Sequence, residues 1–164
     1  MPERPLPIEQ ILTMLAEAPS RIAALTDDLT PEQLRAAPAP GEWSANEALA
    51  HLRACADVWG ECMLRISQGA PTLRAVNPRT WIVKTDYLDR EFQPSLRAYA
   101  AQRAELLAML ESLALDVWAR AAMITGAGKP LVRTVHAYAQ WMATHERPHI
   151  KQIGRIAAVM RAAT

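Results

Sequence analysis

Residues 133–162, with the sequence RTVHAYAQWMATHERPHIKQIGRIAAVMRA, decide the fold because they predict one long amphipathic helix. Apolar side chains and two histidines recur in this stretch at helical spacing and form one broad face. The members of this face are Val135, Tyr138, Trp141, Met142, His145, His149, Ile153, Ile156 and Met160. A long helix with one apolar face has to pack that face against other elements. Pro148 lies inside the stretch and removes a backbone donor, so we expect a bend between the two histidines.

Three further stretches predict long amphipathic helices. They cover about residues 7–29, with a kink at Pro19, then residues 44–67 and residues 94–113. No convincing strand pattern accompanies these helices. The sequence therefore predicts an all-α fold, a four-helix bundle that forms a single domain over residues 1–164.

Short local signals mark the ends of the predicted elements. Ser44 and Glu47 predict a capping box at the start of the second long helix, and Thr30 and Gln33 predict the same arrangement for a short helical turn before it. Asp116 is expected to cap another brief turn. The glycine-rich stretch 126–130 is expected to be a loop between helices. The segment 68–86 is longer than a bundle normally needs, so we interpret it as either a lid over a cleft or a disordered excursion.

Composition and charge exclude several classes of protein. The net charge is +1, with 18 basic and 17 acidic residues, so there is no electrostatic case for a nucleic-acid partner. No apolar run is long enough to span a membrane, and no signal-peptide core follows the first five residues, which favours the cytoplasm.

Cys55 and Cys62 lie on one helix, separated by about 10 Å along its axis, so they cannot form a disulfide with each other. Free thiols suit a reducing compartment.

The histidines are the side chains that predict chemistry. His145 and His149 lie four residues apart on one helix, so both imidazoles lie on one face, one turn apart. His51, on the second long helix, completes a set of three nitrogen ligands if the two helices are neighbours. Three protein ligands with open positions are typical of a catalytic metal, whereas structural zinc sites are closed by four. The alternative is that His145 and His149 are partly exposed and that His51 is hydrogen-bonded in the core.

His136 serves as an internal comparison for this set. It lies nine residues before His145, which at about 100° per residue turns it to the opposite side of the helix. We therefore expect His136 to be a solvated surface residue and not a ligand of the same site.

Two segments of the chain resemble motifs of a known family. Trp43-Ser44, Glu47 and His51-Leu52 are similar to the second-helix motif of the DinB-like family, including its YfiT-like branch. The fourth-helix motif of that family resembles a second group of residues, namely Gly128, 132–135, His145-Glu146, His149-Ile150 and Gln152-Ile153. The resemblance extends over about residues 7–161, and Pro148 departs from it because the family more often has a polar helix former there.

The resemblance implies both a topology and a cofactor. Members of the family are up-down-down-up four-helix bundles that commonly hold a divalent metal through three histidines. Matched residue by residue, the metal ligands of the family correspond to His51, His145 and His149. We expect a zinc, nickel or iron ion, although imidazole suits copper as well and the sequence leaves the choice open.

Five other side chains have two interpretations each. Glu47 either accepts a hydrogen bond from a metal ligand or acts as a general base beside the metal, or it is only a capping residue, which we favour. Cys55 is a fourth ligand or, as we favour, a buried inert thiol. Glu146 either accepts a hydrogen bond from a ligand imidazole or is solvated. Tyr138 and Trp141 either form a wall of the substrate cleft or belong to the plain core.

These features favour a metal-dependent enzyme that acts on a small molecule. Relatives in the superfamily resemble thiol-dependent S-transferases and mycothiol-dependent maleylpyruvate isomerases, in which a metal-bound thiolate is the nucleophile. The resemblance thus implies a thiol transferase, or a related hydrolase or isomerase, with a low-molecular-weight thiol as a partner. The alternative is a non-catalytic metal-binding module, either for stress response or for homodimeric interaction. In both cases we expect a homodimer without nucleic-acid or membrane partners.

Overall fold

Four long helices make up most of the chain in the computed structural model, which describes residues 4–163. Met1, Pro2 and Glu3 of the N-terminal segment considered above lie outside the described residues, as does Thr164. The long helices are α1 (Ile8–Thr26), α3 (Ala45–Ser67), α5 (Phe92–Glu111) and α7 (Val135–Ala162). Short helices connect them, namely α2 (Pro31–Arg35), α4 (Pro78–Trp81) and α6 (Leu115–Trp118), together with 3₁₀ turns at Ile82–Lys84 and Tyr87–Asp89.

The four long helices pack as a bundle, as the sequence predicts. Helix α7 packs against α1 and α3, and α5 packs against the same two helices from the other side. Each long helix therefore buries its apolar face between two neighbours. Because α3 and α7 are in direct contact, the helix with His51 lies beside the helix with His145 and His149. The up-down-down-up order of helix directions stays a prediction.

A small sheet corrects the all-α prediction. Strand β1 (Thr72–Arg74) pairs in parallel with β2 (Ala121–Thr125), and β2 pairs in antiparallel fashion with β3 (Leu131–Thr134). The turn between β2 and β3 contains Gly126 and Gly128, whose positive φ angles of 86° and 78° explain why glycine is present there. The sequence pattern did not show these strands because each has five residues or fewer.

The helix ends agree with some predicted caps and not with others. The capping boxes at Thr30 and Ser44 are both present and are confirmed. Helix α7 begins at Val135, two residues later than predicted, because Arg133 belongs to β3 and the Thr134 side chain caps the helix. The prediction for Asp116 was wrong, since Ala114 is the N-cap of α6 and Asp116 lies inside its first turn.

The segment 68–86 is ordered, which contradicts its interpretation as a disordered excursion. It contains β1 and α4, and its last residues lead into a 3₁₀ turn. Trp81 within the segment and Tyr87 directly after it both bind one carboxylate of α3. Trp81 Nε1 donates to Asp57 at 2.9 Å, and the Tyr87 hydroxyl donates to the same side chain at 2.6 Å. These bonds hold the segment against the bundle.

The hydrophobic core consists of two clusters with a polar layer between them. One cluster includes Leu49 and Ile153, and the other includes Ala56 and Met142. Between these levels of α3 and α7 lie His51, His145 and His149. Helix α7 continues through this layer without interruption, with Pro148 inside it. No helix within residues 4–163 has the length and apolar character of a membrane span.

Candidate metal centre

The three predicted histidines lie together between α3 and α7. One ligand atom from each of His51, His145 and His149 lies within 4.8 Å of the others. The ring centroids of His145 and His149 are 4.7 Å apart, and the His51 centroid is 4.8 Å from that of His149 and 5.3 Å from that of His145. The helical spacing aligns the pair, and the α3–α7 contact adds the third ring. Whether these three rings suit a metal ion depends on their protonation and on their hydrogen-bond partners.

Burial keeps two of these imidazoles uncharged at neutral pH. Partial burial lowers the pKa of His51 to about 4, with further contributions from the charges of His149 and Arg79. Burial likewise lowers the pKa of His145 to about 4, and the neighbouring His149 and His51 add to the effect. Neutral imidazole is the form that binds a metal ion, so protons do not compete strongly for these nitrogens near pH 7.

The hydrogen bonds around the rings also fit a divalent metal. Nδ1 of His145 is buried and has no hydrogen-bond partner among the described residues, a cost in free energy that a bound cation would remove. Nδ1 of His149 lies 3.1 Å from Oε1 of Gln152, which orients that ring as outer-shell partners of metal ligands do. Three imidazoles suit zinc, nickel, copper or iron better than magnesium or calcium. The residues present therefore fit the metal that the resemblance implies.

Two tryptophans enclose the histidines. Trp43 stacks on His149 at an interplanar angle of 13° and also touches His51, with ring centroids 5.2 Å apart. On the other side the ring of Trp59 meets His145 edge-on at 4.9 Å. The sequence showed both tryptophans but not this role, because both are also compatible with ordinary core positions. Their rings pack against the centre from two sides.

Glu47 has the capping role that the sequence predicts, and Cys55 lies beside His51. The Cys55 sulfur lies 3.5 Å from Nε2 of His51, and burial together with the charge of Glu146 raises the pKa of this thiol to about 12. Without a bound metal, this thiol therefore keeps its proton at neutral pH. Glu47 accepts a hydrogen bond from the Ser44 backbone and completes the capping box. Its role as a base beside the metal stays a prediction.

Both interpretations of Glu146 were wrong. Its side chain is buried and forms an ion pair with Arg103 of α5, so it is neither solvated nor bonded to a ligand imidazole. The Tyr99 hydroxyl donates to the same carboxylate at 2.9 Å. Arg103 was not among the predicted site residues, although the sequence contains a signal for it. Arg103 lies four residues after Tyr99 on the apolar face of its helix, where a charge requires a buried partner.

Tyr138 and Trp141 line a small cavity beside the centre. The cavity has a volume of about 200 Å³, and Trp59 and Arg133 also line it. Trp59 connects it to the histidines, since its ring touches both His145 and Trp141. Tyr138 is buried, whereas 45% of Trp141 is exposed, so the second aromatic is not a plain core residue.

His136 lies outside the cluster, as its position on the helix predicts. The expectation that it is a solvated surface residue was wrong, however. Its Nε2 is 2.8 Å from the Leu6 carbonyl oxygen, and its ring packs edge-on against Trp118. It connects the N-terminal segment to α7 and provides a matched control for substitutions at the centre.

Comparison with known proteins identifies the family. A sequence profile of the DinB superfamily matches residues 14–153, so the chain belongs to the DinB superfamily. The fold is similar to that of YfiT from Bacillus subtilis, described as "a probable metal-dependent hydrolase with an unusual four-helix bundle topology". The two chains are 17% identical with a TM-score of 0.80, over 98% of this chain and 93% of YfiT. This likeness shows the fold. No match was found among curated proteins.

We expect the metal-free protein to lose stability as the pH falls from about 6.5 to about 4. In this window His51 and His145 bind protons in the unfolded chain but not in the folded one, because their folded pKa is about 4 and their ordinary pKa is 6.5. Stability therefore rises with pH across the window and is unaffected by these groups above it. Chemical denaturation of chelator-treated protein at a series of pH values measures the effect. His145→Asn should flatten the profile, and an unchanged slope in that variant would contradict the assignment.

Proposed function

We propose that the chain is a divalent-metal-dependent enzyme that acts on a small molecule. The observation that supports this proposal most directly is the cluster of His51, His145 and His149, three imidazoles with ligand atoms within 4.8 Å of one another. A divalent ion held there supplies a Lewis acid that polarises a substrate carbonyl and lowers the pKa of a water or thiol. Three protein ligands leave open positions for that chemistry.

Aromatic side chains flank the cluster of histidines. Trp43 and Trp59 pack against the imidazoles from two sides. The cavity lined by Tyr138 and Trp141 has a volume of about 200 Å³, below the range of drug-sized ligands. In this proposal the cavity holds the part of the substrate that does not react, and its aromatic walls orient that part.

Two reactions are compatible with such a centre. Hydrolysis is favoured by the similarity to YfiT, which is described as a probable metal-dependent hydrolase. Transfer of a low-molecular-weight thiol is the reaction that the sequence motifs suggest. Cys55 is not the nucleophile in this proposal, because its sulfur is not among the clustered ligand atoms of His51, His145 and His149. A cytoplasmic homodimer with the up-down-down-up helix order belongs to the same proposal.

Parallel activity assays of metal-loaded protein test this function. We expect metal-dependent hydrolysis of p-nitrophenyl acetate, or metal-dependent conjugation of 2-mercaptoethanol to 1-chloro-2,4-dinitrobenzene. His51→Ala should lower that activity by more than about 100-fold, beyond the usual effect of an outer-shell partner. His136→Ala, on the same helix as two of the ligands but outside the cluster, should retain it. Protein that binds metal but shows neither reaction would instead support a non-catalytic metal-binding module.

A further inference from the structure

The small cavity beside the metal centre has a single charged side chain in its wall. Apolar and aromatic residues form most of that wall, among them Val58, Ile124 and Trp141. Arg133, on β3, also lines the cavity, and no acidic residue within residues 4–163 does so. A positive charge without a counterion in a mainly apolar space favours a negatively charged occupant.

The guanidinium of Arg133 has no acceptor in the protein. It forms no ion pair and donates no hydrogen bond to any of residues 4–163. Its Cζ lies 5.6 Å from the centroid of the Tyr138 ring and 5.3 Å from that of the Trp141 ring. Aromatic faces stabilise a guanidinium, but they leave the N–H donors in its plane unused. These donors are therefore free to bind a ligand.

These donors are also accessible. Arg133 is only partly buried. Within residues 4–163, the fully buried polar side-chain atoms without a partner belong to Asn46, Arg103 and His145, and none belongs to Arg133. Arg133 thus differs from Arg103, which is sealed in its ion pair with Glu146. Because Arg133 is partly shielded from water, an ion pair there should be stronger than one on the open surface.

Acidic residues nearby in the fold do not neutralise Arg133. Glu61 lies one residue before Cys62, which lines the cavity. However, Glu61 lines a different and larger cavity of about 720 Å³ between α3 and α5, as do Asp57 and Glu105. None of these three carboxylates forms an ion pair with Arg133. The positive charge of Arg133 therefore stays unbalanced.

The small cavity adjoins the metal centre through one aromatic ring. Trp59 lines the cavity, and the centroid of its ring lies 4.9 Å from that of His145. Trp141, also in the wall, lies four residues before His145 and thus about one turn away on α7. A molecule that binds Arg133 in this cavity is therefore placed beside the centre.

We propose that Arg133 determines the specificity of the metal centre, and that the substrate is a small molecule with a carboxylate that Arg133 binds. A guanidinium holds a carboxylate through two parallel N–H···O bonds, and the aromatic rings of the wall pack against the rest of the molecule. The volume of about 200 Å³ is sufficient, since a cavity of about 150 Å³ can hold benzene. The reaction of this molecule rests on the proposed function, but its binding to Arg133 does not.

Benzoate, benzamide and benzamidine are matched probes, because they have nearly the same shape and differ in charge. Chelator-treated, full-length protein is used, so that a carboxylate cannot bind a metal ion instead. We expect benzoate to bind about tenfold more tightly than neutral benzamide, and cationic benzamidine to bind most weakly. Isothermal titration calorimetry at neutral pH measures the three affinities. Equal affinities for benzoate and benzamide would overturn the proposal.

Substitution of Arg133 assigns the preference to this side chain. Arg133→Gln should remove the preference for benzoate, and Arg133→Glu should reverse the order, so that benzamidine binds most tightly. Arg155→Glu is the control, because it makes the same change of charge at an exposed residue of α7 outside this cavity, and it should keep the wild-type order. Circular dichroism verifies the fold of each variant. An Arg133→Gln variant that still prefers benzoate would contradict the assignment.

Repeating the titration with metal-loaded protein separates this proposal from the proposed function. Benzoate that binds only to the metal-loaded protein would locate the carboxylate at the ion and overturn the role of Arg133. Selective binding by the metal-free protein, lost in Arg133→Gln, would support that role. The same result together with no turnover in the activity assays would keep the Arg133 site and reject the enzyme.

Discussion

Arg103→Met is expected to destabilise the folded chain by about 3 to 5 kcal/mol, the usual cost of leaving one charge of a buried ion pair without its partner. The side chains of Arg103 and Glu146 are only 2% and 4% exposed, so water cannot replace the lost partner. The substitution also removes the donors to Tyr99 and to the Leu15 carbonyl. Because whole domains are stable by only about 5 to 15 kcal/mol, the denaturant midpoint should fall markedly.

A double-mutant cycle separates the ion pair from other effects of the substitution. Arg103→Met combined with Glu146→Met removes both charges and leaves an apolar contact, so it should recover much of the lost stability. The Tyr99 hydroxyl then lacks its acceptor, which leaves a smaller residual cost. Arg35→Met is the control, because the Arg35–Glu91 pair is largely exposed and should contribute little. A single Arg103→Met variant as stable as the wild type would show that the pair is unimportant.

His145→Ala is expected to abolish stoichiometric metal binding. After incubation with zinc or nickel and removal of free ions, the wild type should hold about one ion per chain, as three-histidine centres do. The alanine variant keeps only His51 and His149, and its affinity should fall by more than about 100-fold. Elemental analysis after dialysis measures the bound metal directly.

Two further variants make the metal measurement specific. His136→Ala also removes a histidine from α7, but one that contacts the Leu6 carbonyl, and it should bind metal like the wild type. Gln152→Ala removes the partner that orients His149 and should lower the affinity by about 10- to 100-fold without abolishing binding. Wild-type protein that holds no metal after incubation would refute the proposed centre.

The parts of the fold that follow from local sequence were predictable. The capping boxes at Thr30 and Ser44 involve residues only three positions apart, and the long helices show their apolar faces over many turns. The strands were not predictable in this way. Leu73 of β1 pairs with Ile124 of β2, which lies far along the chain, so their hydrogen bonds exist only once the bundle has formed.

The candidate site was likewise predictable only where it depends on residues close together in the sequence. The alignment of His145 and His149 comes from helical geometry alone, whereas His51 was a candidate third ligand only on the condition that its helix is a neighbour, and the resemblance pointed to the same three residues. The partners of Glu146 could not be read in advance, since Arg103 and Tyr99 lie on a different helix. The charge of Arg103 on an apolar helix face was a readable signal that a buried partner exists, but not which one.

For this protein the sequence by itself determined the four long helices, two helix caps and the alignment of the histidine pair, because each depends on residues within a few turns of one another. Only the tertiary structure decided that α3 packs on α7, which brings His51 to the pair. It also decided that Arg103 pairs with Glu146 and that a cavity remains beside it. These features depend on which apolar faces meet and in which register, and that is settled by packing across the whole chain.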